Sequence, residues 1–180
     1  PFKRYQMQNV WRADRPQKGR FREFYQCDAD VIGSKSLLNE IELIQLCDDI
    51  FTSLNIPNIQ ILINNRKILA AMIELMSASE YFDQFVIILD KIDKIGVENV
   101  KKELIKLGID IKKINLLDKF LNIKNINDIS VLINQNELGK KGIQELDFIL
   151  KSIESLDLKS SELKFNISLA RGLDYYTGSI

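Results

Sequence analysis

With 180 residues and 25 basic against 25 acidic side chains, the chain can hold one domain with a real core, or one and a half, and any nucleic-acid contact must come from local patches because no global field exists. It has no run of about eighteen apolar residues and no signal-peptide pattern, so neither membrane insertion nor export is expected. The absence of histidine removes every Ser/His, Cys/His and His-ligated-metal mechanism from this span and leaves arginines, carboxylates and a bound ion to do chemistry.

Residues 2–12 read as a strand in which Tyr5, Met7 and Trp11 share a face. No initiator Met precedes Pro1, and another strand is just beginning at Ile180, so a piece of a longer chain is expected. The strand delivers Arg12 to a basic loop. Five of the eleven residues at 12–22 are basic (Arg12, Arg15, Lys18, Arg20, Arg22) against one acid, Asp14, and Pro16 and Gly19 mark a turn. A loop of roughly eight residues outgrows an ordinary hairpin connection, which points to a use, and its charge points to an anion.

The return strand, 21–31, sorts its side chains by alternation. Phe21, Glu23, Tyr25, Cys27, Ala29 and Val31 lie on one side, and the small apolar run within them suits packing against helices. Arg22, Phe24, Gln26, Asp28 and Asp30 make the other, working face. A cation, an aromatic plate, an amide and two carboxylates would hold a flat base and a small polar molecule. On spacing alone, a merely solvated polar face is an equal reading.

Gly33 breaks the pattern, and Ser34 or Ser36 can cap a helix with apolar positions Leu37, Ile41, Ile44, Cys47, Phe51 and Leu54. Pro57 ends it. Residues 58–64 alternate Ile59, Ile61 and Ile63 as a strand, and 67–77 return to helical spacing through Leu69, Met72, Ile73 and Met76. These stripes read as core, in an antiparallel sheet backed by helices. Cys27 and Cys47 read as small buried hydrophobes in a reducing, cytoplasmic compartment and make no metal site.

Between about residues 81 and 162 the texture changes to short amphipathic helices at 82–95, 97–107, 114–121 and 142–156, separated by Gly96, Gly108, Asn-rich turns and Gly139. The fold class expected is therefore α+β. Its division is a core part at 1–79, a helical insertion at 80–163 and a second core part at 164–180. Lysines in the insertion (Lys101, Lys102, Lys106, Lys112, Lys113, Lys140, Lys141) are interspersed with acids, which favours solvated helix faces over phosphate binding. Residues 163–170 then read as a strand delivering Arg171, with Gly172 free to turn closely and Asp174, Tyr175 and Tyr176 behind it.

Arginine is spread unevenly. Of seven, five (Arg4, Arg12, Arg15, Arg20, Arg22) stand at the start and Arg171 near the end, while none lies between Lys67 and Ala170. In a lysine-rich chain, arginine marks places where a planar fork is needed for phosphate or carboxylate. Plain ion pairs are the alternative for Arg4, Arg15 and Arg66.

RADRPQKGRFREFYQCDAD, at 12–30, resembles motif 2 of class II aminoacyl-tRNA synthetases, and its RPQKGRFREFYQ portion is similar to that of the histidyl-tRNA synthetase family. ARGLDYYTG, at 170–178, resembles the histidine-specific signature of the same family. The resemblance implies activation of histidine by ATP and transfer to histidine tRNA, by a homodimer in the full-length enzyme, with Mg²⁺ on the outer phosphates and no metal held by residues of this chain. It implies ATP contacts from Arg12, Asp14, Arg20, Phe24 and Arg171, and histidine contacts from Arg12, Gln26, Asp30, Arg171, Tyr175 and Tyr176. Arg12 and Arg171 would be catalytic, and Gln17 would meet the extra 5′ guanine of the tRNA. Many bacterial members carry Glu where this chain has Asp30, which leaves the placement of the imidazole ring open. The competing class is a non-catalytic paralogue, such as the regulatory subunit of ATP phosphoribosyltransferase.

Overall fold

The structure, a computed structural model, describes residues 1–172 and 176–180. Strands β1 (Phe2–Trp11) and β2 (Glu23–Ile32) form an antiparallel hairpin with Phe2 opposite Ile32 and Trp11 opposite Glu23. Helix α1 (Leu38–Ser53), strand β3 (Ile59–Ile63) and helix α2 (Arg66–Leu75) follow, then a short 3₁₀ turn, Ser79–Tyr81. Helices α3 (Phe82–Leu89), α4 (Ile92–Ile95), α5 (Val97–Lys106), α6 (Ile111–Leu121), α7 (Ile126–Leu132) and α8 (Glu137–Glu154) lead to β4 (Ser161–Phe165). Strand β4 runs parallel to β3, with Ile59 opposite Ser161 and Ile63 opposite Phe165. The α+β class holds, and the second strand pair is parallel because the helices between its members act as one long crossover.

Side-chain caps begin several of these helices. Asn65, Asp110, Asn125 and Asn136 each accept a backbone N–H from the first turn of α2, α6, α7 and α8, satisfying a donor that has no partner within the helix. Ser36 Oγ accepts from Leu38 N at the start of α1.

One core runs through the helical part. Ile68, Leu69, Met72, Ile73 and Met76 of the α2 stripe are fully buried against residues such as Phe85, Leu104, Leu117 and Leu146 from the later helices. Glycine permits the close approach of α8 to α2. A Cβ on Gly139 would lie 2.7 Å from Ala71 Cβ, and one on Gly142 would lie 2.9 Å from Lys67 Cβ and 3.1 Å from the Ile68 backbone nitrogen. Gly139, expected to separate elements, is thus inside α8, where contact and not flexibility explains it. Helix α7 occupies a stretch read as an Asn-rich turn, since Asn125 caps a helix instead of ending one.

A buried carboxylate joins α1 to β4. Asp48, 4% exposed, accepts from Lys159 N (2.9 Å), Ser160 N (2.9 Å) and Ser161 N (2.7 Å). Burial alone would raise its pKa, but these backbone N–H groups outweigh it and hold the carboxyl below its ordinary value.

Three expectations need correction. Strand β4 stops at Phe165 rather than reaching Ala170, because Asn166 Oδ1 accepts from Ser168 N (2.9 Å) and Ser168 Oγ (2.7 Å) and turns the chain locally. The Tyr25, Cys27, Ala29 side of β2 is exposed, while Phe24, Gln26, Asp28 and Asp30 are half-buried. Helix α1 reaches only the open end of the hairpin, where Tyr5, Ala29 and Val31 face Leu43 and Leu46 across a groove of about 520 Å³. Cys27 and Cys47 are accordingly both exposed, not buried.

Candidate active site

The basic loop folds back on itself as a small second hairpin. Arg12 N donates to Arg22 O (2.8 Å), and Gln17 and Arg20 exchange backbone hydrogen bonds of 3.2 and 2.8 Å around Lys18 and Gly19. Gly19 has φ +76°, a value that glycine adopts without the clash a Cβ would bring. Arg22 Nε donates to the Asp14 carbonyl at 3.2 Å, and the Asp14 carboxylate lies 4.0 Å from Arg20 Nε. Among the described residues Asp14 forms no ion pair with Arg15.

This folding gathers Arg12, Asp14, Gly19, Arg20, Phe21 and Phe24 around a cleft of about 260 Å³. The volume falls below the roughly 300–1,000 Å³ of sites that enclose a whole drug-sized ligand, so it suits one flat ring system with its charged tail outside. Two guanidinium groups and an aromatic plate on the wall suit an aromatic anion. Gln17 is exposed at the tip of the loop.

Behind the cleft, the half-buried face of the hairpin carries a chain of polar contacts. Arg12 lies over the Phe24 ring, 5.1 Å from guanidinium carbon to ring centroid, and Nη2 donates to Gln26 Oε1 at 2.9 Å. Gln26 Nε2 donates to Asp28 Oδ1 at 2.7 Å. A cation on one side and a carboxylate on the other fix which way the amide points. Arg12 is thereby oriented from two directions, and its remaining N–H groups are available to a ligand. Asp30 is paired with Arg4, whose Nε donates to Oδ2 at 2.7 Å. Sequence reasoning left Arg4 outside the site; the hairpin register, which sets Arg4 opposite Asp30, is the signal that identifies it.

The second group of candidates lies at the other end of the chain. Arg171 is exposed, and its backbone carbonyl accepts from Arg66 Nη1 at 3.2 Å. Tyr176 is half-buried, and Tyr175 lies outside the described residues. Among the described residues no hydrogen bond or ion pair joins the Arg171 side chain to the hairpin group. Nearby, Lys67 Nζ and Asn65 Nδ2 both donate to Glu145. Burial would raise that carboxyl, but these two partners hold it below its ordinary value. No three His, Cys, Asp or Glu side chains gather as a metal site among the described residues, and no helix among them is long and apolar enough to cross a membrane.

Comparison with known proteins identifies the family. The family model described as "Histidyl-tRNA synthetase" matches residues 3–180. A histidine–tRNA ligase of Flavobacterium johnsoniae is 50% identical over the whole chain, and one of Christiangramia forsetii is 48% identical. The chain spans 39% and 41% of those relatives' lengths, about two fifths of each. Among solved structures, a histidyl-tRNA synthetase from Nostoc sp. PCC 7120 superposes with TM-score 0.84 at 31% identity, over 99% of this chain and 43% of that one. A protein of Bacillus halodurans described as an ATP phosphoribosyltransferase regulatory subunit/histidyl-tRNA synthetase superposes with TM-score 0.79 at 20% identity, covering 99% of this chain and 46% of that one, which is a likeness of fold.

Proposed function

This chain belongs to the histidyl-tRNA synthetase family, and from that premise we propose that the protein containing it is a histidine–tRNA ligase. In the first step a carboxylate oxygen of histidine attacks the α-phosphorus of ATP, and pyrophosphate leaves. In the second, a ribose hydroxyl at the 3′ end of the tRNA attacks the histidyl carbonyl carbon, and AMP leaves. Both steps need reactants held in line and negative charge neutralised as it builds on phosphate oxygens.

The observation carrying this reading is the cleft that Arg12, Asp14, Arg20 and Phe24 share. Phe24 supplies a face for adenine and Asp14 an acceptor for its amino group. Arg12, already turned by Gln26, donates to the α-phosphate and to the histidine carboxylate, while Arg20 reaches the outer phosphates. Arg171 approaches the α-phosphate from the other side. Mg²⁺ fits as an ion carried by the outer phosphate oxygens, since the side chains here offer guanidinium donors to phosphate rather than a cage of oxygens; when bound it neutralises phosphate charge.

Gln26, Asp30, Tyr175 and Tyr176 form the proposed histidine pocket, an acid meeting one ring nitrogen and hydroxyl or amide groups the remaining atoms. The stretch 80–163, helical as far as Glu154, is the proposed insertion toward the acceptor arm of the tRNA, with Gln17 at the 5′ end. A homodimer working in the cytoplasm completes the reading. The test is histidine-dependent exchange of labelled pyrophosphate into ATP by the full-length protein. Exchange with histidine alone among the amino acids is expected, and none, or equal exchange with the others, would overturn the assignment.

The regulatory-subunit alternative is weaker. Arg12, Gln26, Asp30, Arg171, Tyr175 and Tyr176 are all present in the sequence, and a binding module has no need of the complete set.

A further inference from the structure

We propose that Arg66 is a positioning residue for Arg171, part of a clasp formed by Asn64, Asn65 and Arg66 where β3 passes into α2. The proposal deepens the reading above, because it matters to catalysis only if Arg171 works at the α-phosphate.

One short stretch of backbone and side chain holds the described residues on both sides of Arg171. Asn64 N and O bond reciprocally with Ile180, each at 3.0 Å. Asn64 Nδ2 donates to Ile167 O (3.1 Å) and Leu169 O (2.9 Å), the residues that lead into Arg171. Arg66 N donates to Gly178 O at 2.8 Å, and Arg66 Nη1 to Arg171 O at 3.2 Å. Asn64, Asn65 and Arg66 are all buried, so the clasp residues of these bonds are withdrawn from water even though Arg171 is exposed.

The type of side chain at position 66 follows from the contacts. Its guanidinium lies 4.9 Å from the Phe82 ring centroid, with Nη2 3.4 Å from Asp83 Oδ1, both at the start of α3. A planar fork stacks on a ring while donating in two directions, which the point charge of lysine cannot do. Across from it, a Cβ on Gly172 would approach Ile87 Cγ1 to 3.1 Å, so the backbone beside Arg171 is also set against α3. A mere fold-stabilising ion pair with Asp83 would explain the charge of Arg66. It would not explain a guanidinium N–H spent on the carbonyl of Arg171.

The test uses the full-length protein and two readouts. Trypsin cleaves after Arg171, and Arg66→Met should accelerate that cut about tenfold relative to other sites, as expected for a locally released backbone. An unchanged rate at this bond overturns the clasp whatever the enzyme does. In histidine-dependent exchange, Arg66→Met should lower kcat by about 10- to 100-fold, the scale of a misplacement of roughly an ångström. Combining it with Arg171→Ala should add little to the loss from Arg171→Ala alone, whereas multiplying losses or an ordinary kcat in Arg66→Met overturns the positioning role. Arg66→Lys, which keeps charge and length, serves if Arg66→Met does not fold; an ordinary kcat there overturns the role equally. If the unsubstituted protein lacks histidine-dependent exchange, the ligase reading fails instead, and the cleavage rate still decides the clasp.

Discussion

Asp48 and Ser161 stand 113 residues apart in the chain and meet at 2.7 Å, the serine N–H donating to the carboxylate. With Lys159 and Ser160 giving two more bonds, this acid fastens the start of β4 to α1. Replacing Asp48 with Ala removes the shared acceptor of three part-buried backbone donors, which should cost about 2–3 kcal/mol. Hydrogen-exchange protection of β3 and β4 measures it. The pH dependence has a definite sign. Because the folded carboxyl lies below its ordinary 3.8, the stabilisation is complete above that value and is lost as pH falls from about 4 through the depressed one. Asp48→Asn should flatten this acid limb.

Gly142→Ala should destabilise although it improves helix propensity. Alanine is favoured over glycine in a helix interior by about 1 kcal/mol. Overpacking typically costs 1–3 kcal/mol, and here the new methyl would meet the Ile68 backbone nitrogen at 3.1 Å, which cannot swing aside. A fall in the thermal midpoint is expected.

Arg12→Lys should lower the rate of histidine-dependent exchange by about 100-fold, since lysine cannot rest on Phe24, bond Gln26 and still present a fork to phosphate. Gln26→Met removes the guide and not the cation. Its smaller loss should fall mostly on the KM for histidine, as initial rates over a range of histidine concentrations would reveal.

Arg4→Met separates pocket from scaffold. The Arg4–Asp30 pair is about half exposed, so its removal should change folding stability by no more than about 1 kcal/mol. The KM for histidine should nevertheless rise several-fold, because Asp30 loses the contact that orients it. Unaltered histidine kinetics in Arg4→Met would show that Asp30 needs no such support.

Local regularity was legible from the sequence and long-range pairing was not. The β2 alternation, the α2 stripe and the basic turn follow from spacing and side-chain type within a dozen residues, while the α1 stripe holds at Ile41 and Ile44 and fails at Cys47 and Leu54, which are exposed. The parallel match of Ile59 with Ser161 depends on residues about a hundred apart, and no local pattern encodes it. Asn166 reads as one polar member of an alternating strand until its side chain is seen closing a turn. Gly139 reads as a breaker until its neighbour is known to be Ala71. In the candidate site, the loop residues could be chosen from charge and resemblance, whereas the supporting roles of Arg4 and Arg66 depend on register and burial.

The parallel pairing of β3 with β4 also orders events during synthesis. A ribosome adding about 5–20 residues per second needs roughly 5–20 seconds to travel from Ile63 to Ser161. Throughout that interval β3 has no β4 to pair with, while α2 can meet α3 early and α8 only near its end. The nascent chain should therefore complete its helical bundle with α8 and only then close the β3–β4 pair, with Arg171 following after β4.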